Sequence, residues 1–168
     1  MSGNGCTRPK TVYIPLMCDH AYALGAAMEV HHIPSEVLPH PDDETLAIGL
    51  DLCKGRECLP CFITTGDIIR RARQPDFDPA QSVMFMATTG GPCRFGQYLA
   101  LQRNILDQHG LAEMDIISPN ADNSYQGFGK NPARLRTLAW QGIVAVDLLQ
   151  KLVHEYRPYE VNSGQTDE

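Results

Sequence analysis

Apolar residues change their spacing several times along this chain, and each change marks an element. Thr11 to Met17 is a short run of β-branched, aromatic and aliphatic residues, the pattern of a strand. From Ala21 to His31 the spacing turns helical, with Leu24, Ala27 and Met28 on the inner face and Asp19 placed to cap. Ser35 to Leu38 predicts a second strand, closed by Pro39 and Pro41. A helix then runs from Asp42 to about Lys54, with Leu46, Leu50 and Cys53 near one face and Gly55 as its stop. Pro60 suits the first turn of a further helix towards Arg73, with Asp67 as a helix cap. Ser82 to Thr88 is almost continuously apolar, which predicts burial on both faces and hence a central parallel strand. A helix from Arg94 to His109 carries Phe95, Leu99 and Leu106 along one side, with Tyr98, Leu101 and Ile105 beside them. Met114 to Ser118 is the fourth strand. The last helix, Pro132 to Tyr156, has its stripe at Leu135, Leu138, Ala139, Ile143, Val146, Leu149 and Val153.

Strands that alternate with helices predict an α/β fold with right-handed crossovers. The expectation is a single flavodoxin- or Rossmann-like domain, a mostly parallel four-stranded sheet flanked by helices, ending in a long helix. Residues 1–10 form a polar lead-in expected to be disordered, 11–160 the domain, and 161–168 a polar tail. Residues 120–131 predict a polar loop. In such sheets ligands bind beyond the carboxyl ends of the strands. Cys18 follows the first strand and Cys93 the central one, so both fall at that edge.

Composition narrows the function classes. A chain of 168 residues with 43% apolar content fits one domain with a real core. The net charge of −6, with no Lys/Arg block, disfavours nucleic-acid binding. No apolar run is long enough to span a bilayer, and Met1 to Gly5 lacks the charged and apolar regions of an export signal. The expected location is the cytoplasm. There the 6 cysteines stay reduced, so metal binding, catalysis or burial explains them better than disulfides.

Four of those cysteines carry candidate chemistry. Cys58 and Cys61 stand two residues apart around Pro60, a spacing shared by metal sites and redox dithiols. With Cys18 and Cys93 they make four thiolates, enough for a soft metal or an iron–sulfur cluster. Cys93 precedes a helix whose dipole would favour its thiolate. Gly90 and Gly91 would let backbone N–H groups approach, and Arg94 would donate to the same anion. Cys53 reads as a small buried hydrophobe and Cys6 as incidental. His20 is a candidate ligand or proton carrier beside Cys18, His31 and His32 are expected to face solvent, and Trp140 belongs to core or interface.

Met17-Cys18-Asp19-His20, Glu57-Cys58-Leu59-Pro60-Cys61 with Thr65-Gly66-Asp67, and Gly91-Pro92-Cys93-Arg94-Phe95-Gly96-Gln97-Tyr98 resemble one known family. They look like the iron–sulfur portion of acyl-CoA dehydratase activase proteins, which is related to 2-hydroxyacyl-CoA dehydratase and benzoyl-CoA reductase subunits. Trp140-Gln141-Gly142-Ile143 and Arg157-Pro158-Tyr159-Glu160 extend the match. The resemblance implies a [4Fe-4S] cluster on Cys18, Cys58, Cys61 and Cys93 with Arg94 nearby, larger or shared if two chains meet. It implies low-potential electron transfer in an anaerobic acyl-CoA dehydratase system, with an actin-like ATPase as electron donor, acyl-CoA as substrate of the system and a homodimer as one assembly. The chain itself shows no phosphate loop of that ATPase, so it is expected to be a component rather than a complete enzyme.

The expected function is therefore an iron–sulfur redox module. A structural zinc or degenerate scaffold module of a larger complex is the alternative, and a thiol–disulfide enzyme using Cys58 and Cys61 is a third reading. Nucleotide binding at Gly90-Gly91 ranks last, because the Lys and Ser/Thr of a phosphate loop are missing.

Overall fold

The structure, a computed structural model, describes residues 9–54, 56–119 and 131–167. The expected lead-in up to residue 8, Cys6, Gly55 as a helix stop and the loop from 120 to 130 lie outside the described residues.

Four strands form one sheet: β1 (Thr11–Ile14), β2 (Ser35–Val37), β3 (Ser82–Phe85) and β4 (Asp115–Ile117). All pair in parallel, in the order β2-β1-β3-β4. The helices are α1 (His20–Val30), α2 (Asp43–Cys53), α3 (Leu59–Ala72), α4 (Tyr98–Gln108) and α5 (Pro132–Tyr156). This is the α/β architecture that the pattern predicts, with the strand order of a doubly wound sheet.

Alternation along each strand assigns the two faces. Tyr13, Met84 and Met86 point into a core with α2, α3 and α4. Val12, Ile14, Val83 and Phe85 point into a second core with α1 and α5. The first face is closed by helix crossings without room to spare. A Cβ on Gly49 would stand 2.0 Å from the carbonyl oxygen of Phe62, and one on Gly66 would stand 2.0 Å from that of Thr45. Arg71 secures the sheet edge: it bonds Glu36 of β2 at 3.2 Å and Asp76 at 2.9 Å while its guanidinium stacks 5.0 Å from the Tyr13 ring.

Several local expectations change. Asp19 does not cap α1; its backbone is helical, and its carboxylate accepts instead from Gln150 of α5 at 2.8 Å. Asp42 does cap α2, accepting from the Thr45 N–H at 3.0 Å. The left-handed residue that ends α2 is Lys54, at φ 60°. Asp67 is no cap: α3 begins eight residues earlier at Leu59, and Asp67 is buried in its middle. Leu50 faces outward, because α2 turns its Thr45, Ile48 and Gly49 side onto α3. His31 is half-buried rather than solvent-facing, whereas His32 is exposed. The helix expected from Arg94 opens as a 3₁₀ turn, Arg94–Gln97, and becomes α-helical only at Tyr98. α5 matches its expected span, yet Leu149 and Trp140 on it are exposed. Among the described residues, no helix is long and apolar enough to cross a membrane.

Candidate functional site at the carboxyl edge of the sheet

β1 has β2 on one side and β3 on the other, so the chain reverses its direction of winding between β1 and β3. Doubly wound sheets bind ligands at the carboxyl end of that switch point. The segments that leave β1 and β3 there carry Cys18 and Cys93, both exposed.

Cys18 belongs to the α1/α5 side. Its Sγ lies 3.1 Å from Nδ1 of His20, at the start of α1. Nε2 of His20 lies 2.7 Å from Oδ1 of Asp147, on α5. The three side chains thus form a thiol–imidazole–carboxylate chain. Beside them is an apolar cavity of about 240 Å³, bordered by Met17, Cys18, His20, Phe85, Arg136 and Trp140. It opens at the strand ends, where the fold leaves helices spaced around a rim.

Cys58 belongs to the opposite side. It is half-buried at the N-terminus of α3, where Pro60 occupies the first turn. Its Sγ shares a 2.6 Å hydrogen bond with the hydroxyl of Tyr98, the first residue of α4. The Phe95 ring meets Tyr98 edge-on at 5.1 Å and helps fix it. Burial, the bond to Cys58 and the nearby Cys58, Cys61 and Cys93 sulfurs all push the Tyr98 phenol up. Tyr98 thus touches one candidate thiol, Cys58, and feels the charge of two others.

Arg94 has a different partner from the one its sequence position suggests. It donates to the carbonyl oxygen of Arg56 at 2.9 Å and so ties the Cys93 segment to the segment that leads into Cys58. Gly96 packs that segment tightly, since a Cβ there would stand 2.6 Å from the Thr89 carbonyl oxygen. Cys93 sits before the short 3₁₀ turn rather than at the mouth of α4, so the helix dipole acts on Cys58 instead.

Cys61 departs most from the expected four-thiolate set. One turn into α3, it points into the core and is fully buried. A hydrogen bond with Cys53, burial and the Cys53 charge push its thiol up. Its neighbours Thr64 and Thr65 accept from Nε2 of the buried Gln102 at 3.0 and 3.4 Å. The two-residue spacing of Cys58 and Cys61 thus sends one sulfur to the rim and the other inward. Among the described residues, no three His, Cys, Asp or Glu side chains stand together as a metal-holding group.

Sequence reasoning names Cys18, Cys58 and Cys93 as candidates and does not anticipate the Asp147 carboxylate beside His20 or the cavity. Asp147 lies 127 residues from His20, and nothing local distinguishes it from any exposed helix carboxylate. Tyr98 carried a usable signal, an aromatic with a polar tip five residues after Cys93, although periodicity assigns it only to the core.

No protein-family model, curated protein or solved structure matches the chain.

Proposed function

We propose that this domain is an iron–sulfur redox module in which Cys18, Cys58 and Cys93 are the thiolate ligands. The observation that carries the reading is the distribution of thiols: the two exposed ones follow the strands flanking the switch point, and the half-buried third bonds Tyr98, on the helix that the Cys93 segment leads into. The donor chemistry suits iron and sulfide, because all three are soft ligands carried on separate segments. Cys61 leaves the ligand set, being enclosed with Cys53 in the core. Three protein thiolates leave a fourth position for another ligand. When bound, the cluster supplies one-electron chemistry at low potential. The chain's own contribution is to hold the Cys58 and Cys93 segments together through Arg94, orient Cys58 through Tyr98, and offer an apolar cavity beside Cys18. An ATP-hydrolysing activase as electron donor and an acyl-CoA as the molecule reduced complete the proposal, on the resemblance given above.

Anaerobic reconstitution with iron and sulfide tests it. The expected product is brown, with visible thiolate-to-iron absorption and about four iron per chain or per pair of chains. Cys18→Ser, Cys58→Ser and Cys93→Ser should each lower bound iron severalfold, while Cys61→Ala should keep it. A colourless protein that takes up zinc but no iron would overturn the redox reading in favour of a structural metal.

A second reading is favoured by the Cys18–His20–Asp147 chain. With Nε2–H donating to Asp147, Nδ1 of His20 is free to take the Cys18 proton. The sulfur then bonds the carbonyl carbon of an acyl ester or thioester, the bond to the leaving group breaks, and His20 returns the proton to it. Mass spectrometry of the metal-free protein with an activated acyl ester separates the two readings. An acyl adduct on Cys18, slowed severalfold by Asp147→Asn, supports thiol catalysis; no adduct removes it.

A further inference from the structure

α5 uses only one side to reach the rest of the domain. Leu135 and Ala139 are buried there, and a Cβ on Gly142 would stand 2.9 Å from that of Ala23 on α1. Away from that contact the helix exposes Val144, Leu148 (57% exposed), Leu152 and Tyr156, and the row is headed by Trp140 (65% exposed), which also borders the cavity. These follow one another at intervals of four residues, forming a single ridge across the exposed face of the 25-residue helix. Monomeric proteins seldom leave a contiguous apolar surface of this extent uncovered.

We propose that this ridge is the contact face of a homodimer, in which α5 packs against α5 of a second copy about a two-fold axis at Leu148. The ridge reads alike from both ends: an aromatic, a branched aliphatic, Leu148, a branched aliphatic, an aromatic. An antiparallel pair centred on Leu148 therefore sets Trp140 against Tyr156 and Val144 against Leu152, and does so twice. A C2 interface demands that self-complementarity. Ridges spaced by four residues interlock at a crossing of about −50°, with the small Ala145 beside the ridge leaving a groove for the partner's Leu148. Such a crossing makes the two helix surfaces diverge from the centre, and the two largest side chains stand at the ends where the gap is widest.

Charge agrees with a second copy as the occupant. The chain carries a net −6 and would repel itself over most of its surface. Beside the ridge Lys151 and Glu155 pair with one another at 3.8 Å, so their opposite charges offset where the two ridges would meet. Area agrees as well. With aromatic side chains supplying up to ~200 Å² each, the ridge and the adjoining exposed Leu149 offer roughly 600 Å² of apolar surface. With a polar rim added, that approaches the ~800 Å² per partner of a standard stable interface.

The test uses the full chain under reducing conditions. Sedimentation equilibrium should show a dimer at micromolar concentration, and Leu148→Asp should weaken it about a hundredfold, since it puts two carboxylates on the axis. Trp140 is the single tryptophan of the chain, so its emission reports the same face. Wild-type emission should shift to the blue as concentration rises through the dimerisation range, and this readout needs no variant to fold. A protein that is still monomeric at ~100 μM would overturn the proposal. So would a dimer that survives Leu148→Asp with unchanged Trp140 emission, since another surface would then be holding it.

Discussion

On one face of the sheet, α2, α3 and α4 enclose a core that contains Thr45, Thr64, Thr65, Asp67 and Gln102 as well as fifteen buried apolar residues. On the other, α1 and α5 bury ten, border an apolar cavity and leave one side of α5 uncovered. The first face is closed mainly by its own helices; the second keeps an open cavity and exposed apolar surface. The thiols divide in the same way. Cys53 and Cys61 are enclosed on the first face, whereas Cys18 stands open beside the cavity of the second.

The two faces should differ most in their response at the crossing of α2 and α3. Gly49→Ala gains helix propensity of up to ~1 kcal/mol. It also drives a Cβ to 2.0 Å from a backbone carbonyl oxygen, and neither helix can yield by rotating a side chain. The two helices must separate, and the surrounding core with them. The expected net loss is about 3 kcal/mol, at the upper end for an overfilled core, read as a fall in the urea midpoint at unchanged slope.

That crossing also shows what the chain's pattern reveals and what it hides. Strand and helix existence was legible, because a short unbroken apolar run and a period of 3.6 residues leave different traces in Ser82–Phe85 and in Pro132–Tyr156. The parallel sheet followed from their alternation. Gly49 and Gly66, by contrast, carry no signal along the chain, and only their partners across space make them indispensable. Cys58 and Cys61 were legible as a pair but not as a divided one, since a helix turns successive residues by about 100° and three steps carry the second sulfur to whichever side the core lies. Exposure of Trp140 was hidden for a related reason: an apolar ridge looks the same in sequence whether it meets its own core or a second chain.

Asp67 gives the next largest effect. It is 2% exposed and neither carboxylate oxygen has a hydrogen-bond partner. Burial pushes it up to about 6 from 3.8, with the nearby Thr45 hydroxyl and Arg70 pulling partly the other way. The folded state thus favours the protonated carboxyl more than the unfolded state does. Its contribution is full below pH ~4, falls as the pH rises towards ~6, and is lost above that; a rise of this size is worth at most about 3 kcal/mol. Asp67→Asn should remove this dependence. The difference in unfolding free energy between variant and wild type should be small at pH ~4 and should favour the variant by about 1–2 kcal/mol at pH ~7. A pH-independent difference would mean that Asp67 is paired and that this face is less completely closed than its burial indicates.

Gly142→Ala is the counterpart of the first substitution, on the α1/α5 face, and should have the smallest effect. The added Cβ would meet the Cβ of Ala23 at 2.9 Å, with the backbone of α1 farther away, at 3.5 Å. Two effects oppose one another. Helix propensity favours alanine by up to ~1 kcal/mol, and the contact requires α1 and α5 to part by a few tenths of an ångström. α5 can make that shift because its outer side is exposed and a cavity borders its first half. The two effects should nearly cancel, leaving a change within about 1 kcal/mol in urea unfolding. If the protein dimerises through α5, the helix is held from both sides, and the same substitution should cost more at concentrations where the dimer forms than in dilute solution. A loss as large as that of Gly49→Ala even in dilute monomer would mean that the α1/α5 face is as rigidly closed as the other, and the contrast between the faces would fail.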